Sequence, residues 1–181
     1  AFRGQYQRAI RAPNVNELYG GVTRVVGVAT DPCSSRASAA QRTDAVRAVC
    51  IATGVPAGAV FTDAVQPNNI MPADFGGNVN LGAEKSDTFT VGAVFTPSFA
   101  PKLYFSVDYF NISLDGAISS LGGGLQNTLN LCYTVIQDAN SEFCRAIVRN
   151  PNTGEINDPY VAQIRNANTG KLKTSGIDFA F

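Results

Sequence analysis

Four cysteines and no histidine set the chemistry open to this chain of 181 residues. The cysteines fall two by two, Cys33 with Cys50 and Cys132 with Cys144, each pair inside a long stretch of loop character. Even number and local pairing fit disulfides made in an oxidising compartment. Zinc is the competing reading, but the short CxxC and His-bearing spacings of zinc sites are missing. Without histidine there is no Ser-His-Asp or Cys-His arrangement and no imidazole base. Asp108 and Asp115 make a poor acid pair, because they sit with opposite facing on and beyond one strand. Gly122-Gly123-Gly124 continues as Leu125-Gln126-Asn127, which is neither GxGxxG nor a P-loop, and reads as a loop bend. Asn111-Ile112-Ser113 has the form of a glycosylation sequon but falls within a strand pattern. The expectation is a chain with no catalysis, no metal and no cofactor.

The elements that carry these residues alternate apolar and polar side chains, which is the period of a strand with two unlike faces. Phe89, Val91, Ala93 and Phe95 share one face against Thr88, Thr90 and Gly92. In the next strand Leu103, Phe105, Val107 and Tyr109 oppose Tyr104, Ser106 and Asp108. After Tyr109 the parity changes, since Phe110, Ile112 and Leu114 become the apolar series; either a bulge re-aims the strand or it has left the bilayer. Phe2, Tyr6 and Ile10 oppose Arg3, Gln5, Gln7 and Arg11, with Arg8 on the apolar side, tolerable near an aqueous rim. Ile177, Phe179 and Phe181 oppose Gly176 and Asp178.

These segments read as about four antiparallel strands, over about 1–11, 86–98, 102–114 and 172–181. The middle two meet at a tight turn, Pro97-Ser98-Phe99-Ala100-Pro101. The other connections, 12–85 and 115–171, are far longer than loops of compact domains, whose median is about 4–6 residues. Short turns at one end and long loops at the other are the grammar of an outer-membrane β-barrel, whose strands alternate lipid-facing and lumen-facing residues. The reading is all-β: a fragment of a transmembrane barrel with two long, disulfide-bearing extracellular loops that hold short helices. On this phase Phe89, Val91, Phe95, Phe105 and Val107 face lipid, while Arg3, Gln5, Gln7, Thr90 and Asp108 face the lumen. A secreted, disulfide-bonded β-sandwich that binds glycan or protein through its loops shows the same alternation and stands as the alternative.

Composition agrees with either reading. Lys plus Arg and Asp plus Glu both number 14, so no basic field is present to hold nucleic acid or an anionic membrane surface. Charged residues make up 15% of the chain, below the share of about a quarter usual in soluble domains. The start at Ala1-Phe2-Arg3, already within a strand pattern, reads as a piece of something larger. Helix formers from Ala37 to Cys50, broken at Gly54 and Pro56, predict a helix, and Asp138 to Val148 predict another. Arg149-Asn150-Pro151-Asn152-Thr153-Gly154 returns as Arg165-Asn166-Ala167-Asn168-Thr169-Gly170, and Asn-Thr-Gly predicts a tight hairpin turn at each copy. An EF-hand is excluded there by ligand spacing.

Several stretches resemble TonB-dependent outer-membrane receptors, in that family's order. Ile10-Arg11-Ala12-Pro13-Asn14-Val15-Asn16-Glu17-Leu18-Tyr19 is similar to its strand-to-loop motif, followed by Asp31-Pro32-Cys33 and by Asn80 to Thr88 leading into a strand. Val107 to Ile112 resembles the next rising strand, and Thr174-Ser175-Gly176-Ile177-Asp178-Phe179 the strand after the second loop. The resemblance implies a large barrel, about 22 strands in transporters of this kind, closed by an N-terminal plug and importing a siderophore, cobalamin or oligosaccharide. It further implies contact with membrane lipid, and with TonB through a plug domain absent from these residues. The terminal Ile177, Phe179 and Phe181 mimic the end of a complete barrel, a likeness taken as coincidental.

Overall fold

The computed structural model describes residues 1–100 and 102–181; Pro101, the last residue of the expected turn, lies outside the described residues. Its strands are β1 (Phe2–Arg11), β2 (Thr23–Val28), β3 (Ile70–Gly76), β4 (Glu84–Phe95), β5 (Phe105–Ser120) and β6 (Ala162–Ala180). They form one open sheet of six strands in the order β1-β4-β5-β6-β3-β2. The expectation of about four strands is therefore corrected to six, because the first long connection contributes β2 and β3. β6 also begins at Ala162 rather than near Leu172, and β5 continues to Ser120 rather than ending at Leu114.

The chain divides into two compact units. The first comprises Ala1–Pro13, Gly82–Ile118 and Asn168–Phe181. Here β1 runs antiparallel to β4 from Phe2 opposite Ala93 to Arg11 opposite Glu84. β4 runs antiparallel to β5 from Lys85 opposite Asp115 to Phe95 opposite Phe105. The ladder between β4 and β5 is unbroken past Tyr109, so no bulge re-aims the strand there, and Phe110, Ile112 and Leu114 keep the facing of Asp108. The facing changes only at Gly116, whose φ of 68 favours a residue without a Cβ. Beyond it Ala117 lies against Gly170, whose own missing Cβ would stand 2.7 Å from that of Ala117. β4 holds 12 residues, enough to cross a bilayer, which takes about 9–11 residues at a tilt near 45°.

The second unit comprises Asn14–Leu81 and Ser119–Ala167. β2 pairs antiparallel with β3, and Ala73–Gly76 pairs parallel with Ala162–Arg165. The helices are α1 (Val15–Tyr19), α2 (Asp44–Ala52), α3 (Leu125–Asn130), continued by a π-helix over Leu131–Ile136, and α4 (Glu142–Arg145). α1 starts on a capping box, with Asn14 Oδ1 accepting from the Glu17 amide at 2.8 Å and Glu17 returning a bond to the Asn14 amide at 2.7 Å. α2 begins where the Thr43 hydroxyl accepts from the Val46 amide and stops ahead of Gly54, at φ 101. Its buried stripe, Val46, Val49 and Cys50, packs with Val55, Leu129, Cys132, Tyr133, Ile147 and Ile164 into one hydrophobic core.

The two copies of the Asn-rich repeat part ways. Asn150 to Gly154 does form a turn, closed by Gly154 N donating to Asn150 O at 2.8 Å, with Gly154 at φ 79. The expected second turn is overturned, because Arg165 to Gly170 is the extended middle of β6. There Asn166 and Asn168 bind backbone instead: Asn166 Nδ2 donates to Glu17 O, and Asn168 Nδ2 to Gly82 O and Gly116 O.

Candidate functional site

In the first unit, side chains directly opposite one another across the ladders share a face. One face carries Phe2, Tyr6 and Ile10 of β1, Phe89, Val91 and Phe95 of β4, and Phe105, Val107 and Tyr109 of β5. These stay uncovered: Phe89 is 48%, Val91 44% and Val107 42% exposed. A β-sandwich requires a second sheet over such a face. All the described strands belong to one sheet, so the sandwich alternative finds no support.

The opposite face holds an open cleft of about 460 Å³ lined by Arg3, Gln5, Thr90, Asp108, Phe110 and Asp178, among others. Arg3 lies opposite Gly92, and Gly92 opposite Asp108, so the Arg3 side chain crosses β4 above a bare backbone. Its Nε donates to Asp108 Oδ1 at 2.7 Å, and its Nη2 donates to Asp108 Oδ2. A Cβ on Gly92 would fall 1.8 Å from Asp108 Oδ1, so this ion pair exists because position 92 is glycine. Gly176 does the same for Phe110, whose ring occupies the place of the missing Cβ at 2.8 Å. Of the residues singled out in the sequence, Arg3, Gln5, Thr90 and Asp108 come together in this cleft, while Gln7, opposite Thr88, shares the face outside it. Asp178 was legible by parity; Gly92 carried no signal of its role, because the pair it permits joins residues 105 apart.

Nearer the long connections, Arg11 Nε donates to Glu84 Oε2 at 2.6 Å, and Glu84 Oε1 accepts from the Ile118 amide at 2.7 Å. On the apolar face Arg8 is no orphan: its Nε and Nη2 donate to the two oxygens of Asp87 at 2.8 and 3.1 Å.

The second unit is held by a different centre. Cys33 pairs with Cys50 and Cys132 with Cys144, the pairing read from the sequence. Beside the first disulfide, fully buried Arg149 forms a two-pronged bond with fully buried Asp31, Nη1 to Oδ2 at 2.6 Å and Nη2 to Oδ1 at 2.9 Å. The remaining donors are also used, Nε on the Tyr133 hydroxyl at 3.0 Å and Nη1 on Gly154 O at 2.8 Å. Burial opposes the guanidinium charge, but the Asp31 carboxylate outweighs it and holds the Arg149 pKa above its usual value. Burial likewise raises the Tyr133 hydroxyl pKa. Asp31 and Arg149 stand in different long connections, so the ion pair, with its shared core, makes one body of both. No cluster of residues with metal-ligand character occurs among the described residues.

A sheet with one continuous apolar face left open, a mixed opposite face that carries the Arg3–Asp108 pair, and long connections leaving from one end is the wall of a transmembrane β-barrel. The family model for TonB dependent receptor-like β-barrels matches residues 1–181, the whole chain. The chain belongs to this family, whose members are receptors and transporters of the bacterial outer membrane. No curated protein and no solved structure matches it.

Proposed function

We propose that β1, β4, β5 and the later part of β6 are adjacent wall strands of an outer-membrane receptor that imports a scarce nutrient with energy delivered by TonB. The observation that carries this reading is the two-faced sheet: exposed Phe89, Val91, Phe95, Phe105 and Val107 on one side, and the Arg3–Asp108 cleft on the other. The first side meets lipid. Arg3, Gln5, Gln7, Thr90 and Asp108 face the lumen, where water, a plug domain or a passing ligand meets them. Both long connections leave from the end where Arg11 stands opposite Glu84, away from the short link between Phe95 and Phe105, and are assigned to the extracellular side. TonB engagement belongs to a plug domain outside these residues.

The transported ligand is of the class these receptors carry, a siderophore, cobalamin or oligosaccharide, and the loop unit makes first contact with it. Cells that carry the full-length receptor are given labelled members of each class, with and without an uncoupler of the inner membrane. Accumulation of one class in energised cells only is the expected result. Equal accumulation of every class with and without the receptor contradicts the assignment.

A further inference from the structure

The second unit holds a cleft of its own, about 340 Å³ in volume. Thr23 stands opposite Phe75 across β2 and β3, so the hydroxyl and the partly buried ring share a face. Phe75 in turn lies beside Ile164 of β6, and Asn166, two residues along, has the same facing. Asn16 of α1 and Ser120 complete the polar lining. Gly20 makes room for the first of these, since a Cβ there would fall 2.8 Å from Asn16 Oδ1. Gly21 also lines the cleft, and a Cβ on it would meet nothing within 4 Å.

Hydrogen-bonding capacity is left over here. The side chains of Asn16, Thr23 and Ser120 make no hydrogen bond among the described residues. Asn166 is held by its Nδ2, which donates to Glu17 O at 3.2 Å, and keeps its Oδ1 to offer. Amides and hydroxyls donate and accept without carrying charge. Arg165, next along β6, points to the other face, where its Nη1 lies 2.7 Å from the place a Cβ of Gly76 would take and its charge acts on Asp74. A charged metal chelate would therefore find no opposite charge in the cleft. The volume lies near the lower bound of about 300–1,000 Å³ for ligand pockets, which suits the end of a chain rather than a whole macrocycle. Sugar hydroxyls donate and accept at once, and the C–H face of a sugar ring packs on an aromatic ring. We propose that this cleft binds the terminal units of a neutral oligosaccharide, with Asn16, Thr23, Ser120 and Asn166 on its hydroxyls and Phe75 against its ring. The proposal rests on the receptor reading above and selects among its ligand classes.

Calorimetry on the purified full-length receptor in detergent tests it, because binding there does not depend on energised transport. The probes are neutral tetrasaccharides of the α-glucan, β-glucan, xylan and chitin types, an acidic galacturonan tetrasaccharide and a ferric tricatecholate siderophore. A neutral tetrasaccharide is expected to bind, and the two charged probes are not. Gly21→Val, whose new side chain enters the cleft, should weaken that binding roughly tenfold or more. Gly27→Val, with an equally open Cβ outside the cleft, should leave it unchanged. Asn16→Ala and Thr23→Val, which add no bulk, should each weaken it roughly threefold to tenfold. Binding of the siderophore alone, or of no neutral tetrasaccharide, overturns the ligand class. Neutral binding that Gly21→Val, Asn16→Ala and Thr23→Val all leave intact overturns the site. Both results leave the receptor reading standing. A tetrasaccharide that the purified receptor binds through this cleft but energised cells never accumulate contradicts the transport reading instead, and leaves the cleft assigned.

Discussion

Replacing Arg149 by methionine keeps an unbranched apolar stem and removes the guanidinium with its charge. The Asp31 carboxylate, fully buried, would lose both of its guanidinium bonds, and the Tyr133 hydroxyl and Gly154 carbonyl would each lose a donor. Breaking a buried pair in this way costs about 3–5 kcal/mol, because the remaining charge stays out of water without compensation. At about 1.36 kcal/mol per decade, that is roughly two to three and a half orders of magnitude in the opening equilibrium of the loop unit. Hydrogen exchange of α2 and α3 amides in the full-length receptor reads this opening directly, since the lost energy appears as faster exchange there. Exchange in the strands of the first unit should stay as it was. The double variant Asp31→Leu/Arg149→Met, which leaves no stranded charge, should recover most of the protection. A single variant that speeds exchange less than about tenfold would show that Asp31 finds water or another partner, and that the ion pair is not the centre of this unit.

Three other outcomes follow from the geometry. Cys33→Ser/Cys50→Ser should destabilise the loop unit by about 3 kcal/mol, since the bond closes a separation of 17 residues; protease nicking between α2 and β3 checks it. Gly92→Val should push the Asp108 carboxylate off the Arg3 guanidinium, because the new Cβ claims its place, and should change uptake more than Gly4→Val, whose Cβ meets only Thr90 O at 3.8 Å. Tyr133 keeps its proton in the folded state above the pH at which the unfolded chain releases it, near 10. The folded state then binds the extra proton, so stability of the loop unit is constant below that pH and falls above it; in Tyr133→Phe this alkaline loss should vanish.

The wall was legible because parity is a local property. Phe89, Val91, Ala93 and Phe95 declare their face whatever pairs with them, and the register with β1 and β5 only confirms it. β2 and β3 gave no such signal: Gly27 interrupts Thr23–Val28, Pro72 and Asp74 interrupt Ile70–Gly76, and the parallel partner of β3 lies far along the chain. The second Asn-rich copy misled because Asn-Thr-Gly accepts a turn without requiring one. Pairing decides there, and the Asn168 amide satisfies Gly82 and Gly116 carbonyls in an extended chain. Asn14 and Glu17 did carry a capping signal for α1 that the spacing alone could have shown. Asp31 with Arg149 could not be read in advance, as the pair joins residues 118 apart.

Which face of the sheet meets lipid is the claim on which the rest depends, and single-cysteine labelling of the receptor in outer membranes tests it most directly. Val91→Cys and Thr90→Cys lie side by side on β4 with opposite facing. Each is treated with a membrane-permeant, lipid-partitioning maleimide and with a charged, water-soluble one. The account predicts that Val91→Cys reacts with the first and is shielded from the second, while Thr90→Cys reacts with the second. Thr90→Cys reacting only from lipid and Val91→Cys only from water would invert the wall, and the lumen positions of Arg3, Gln5, Gln7 and Asp108 would fall with it.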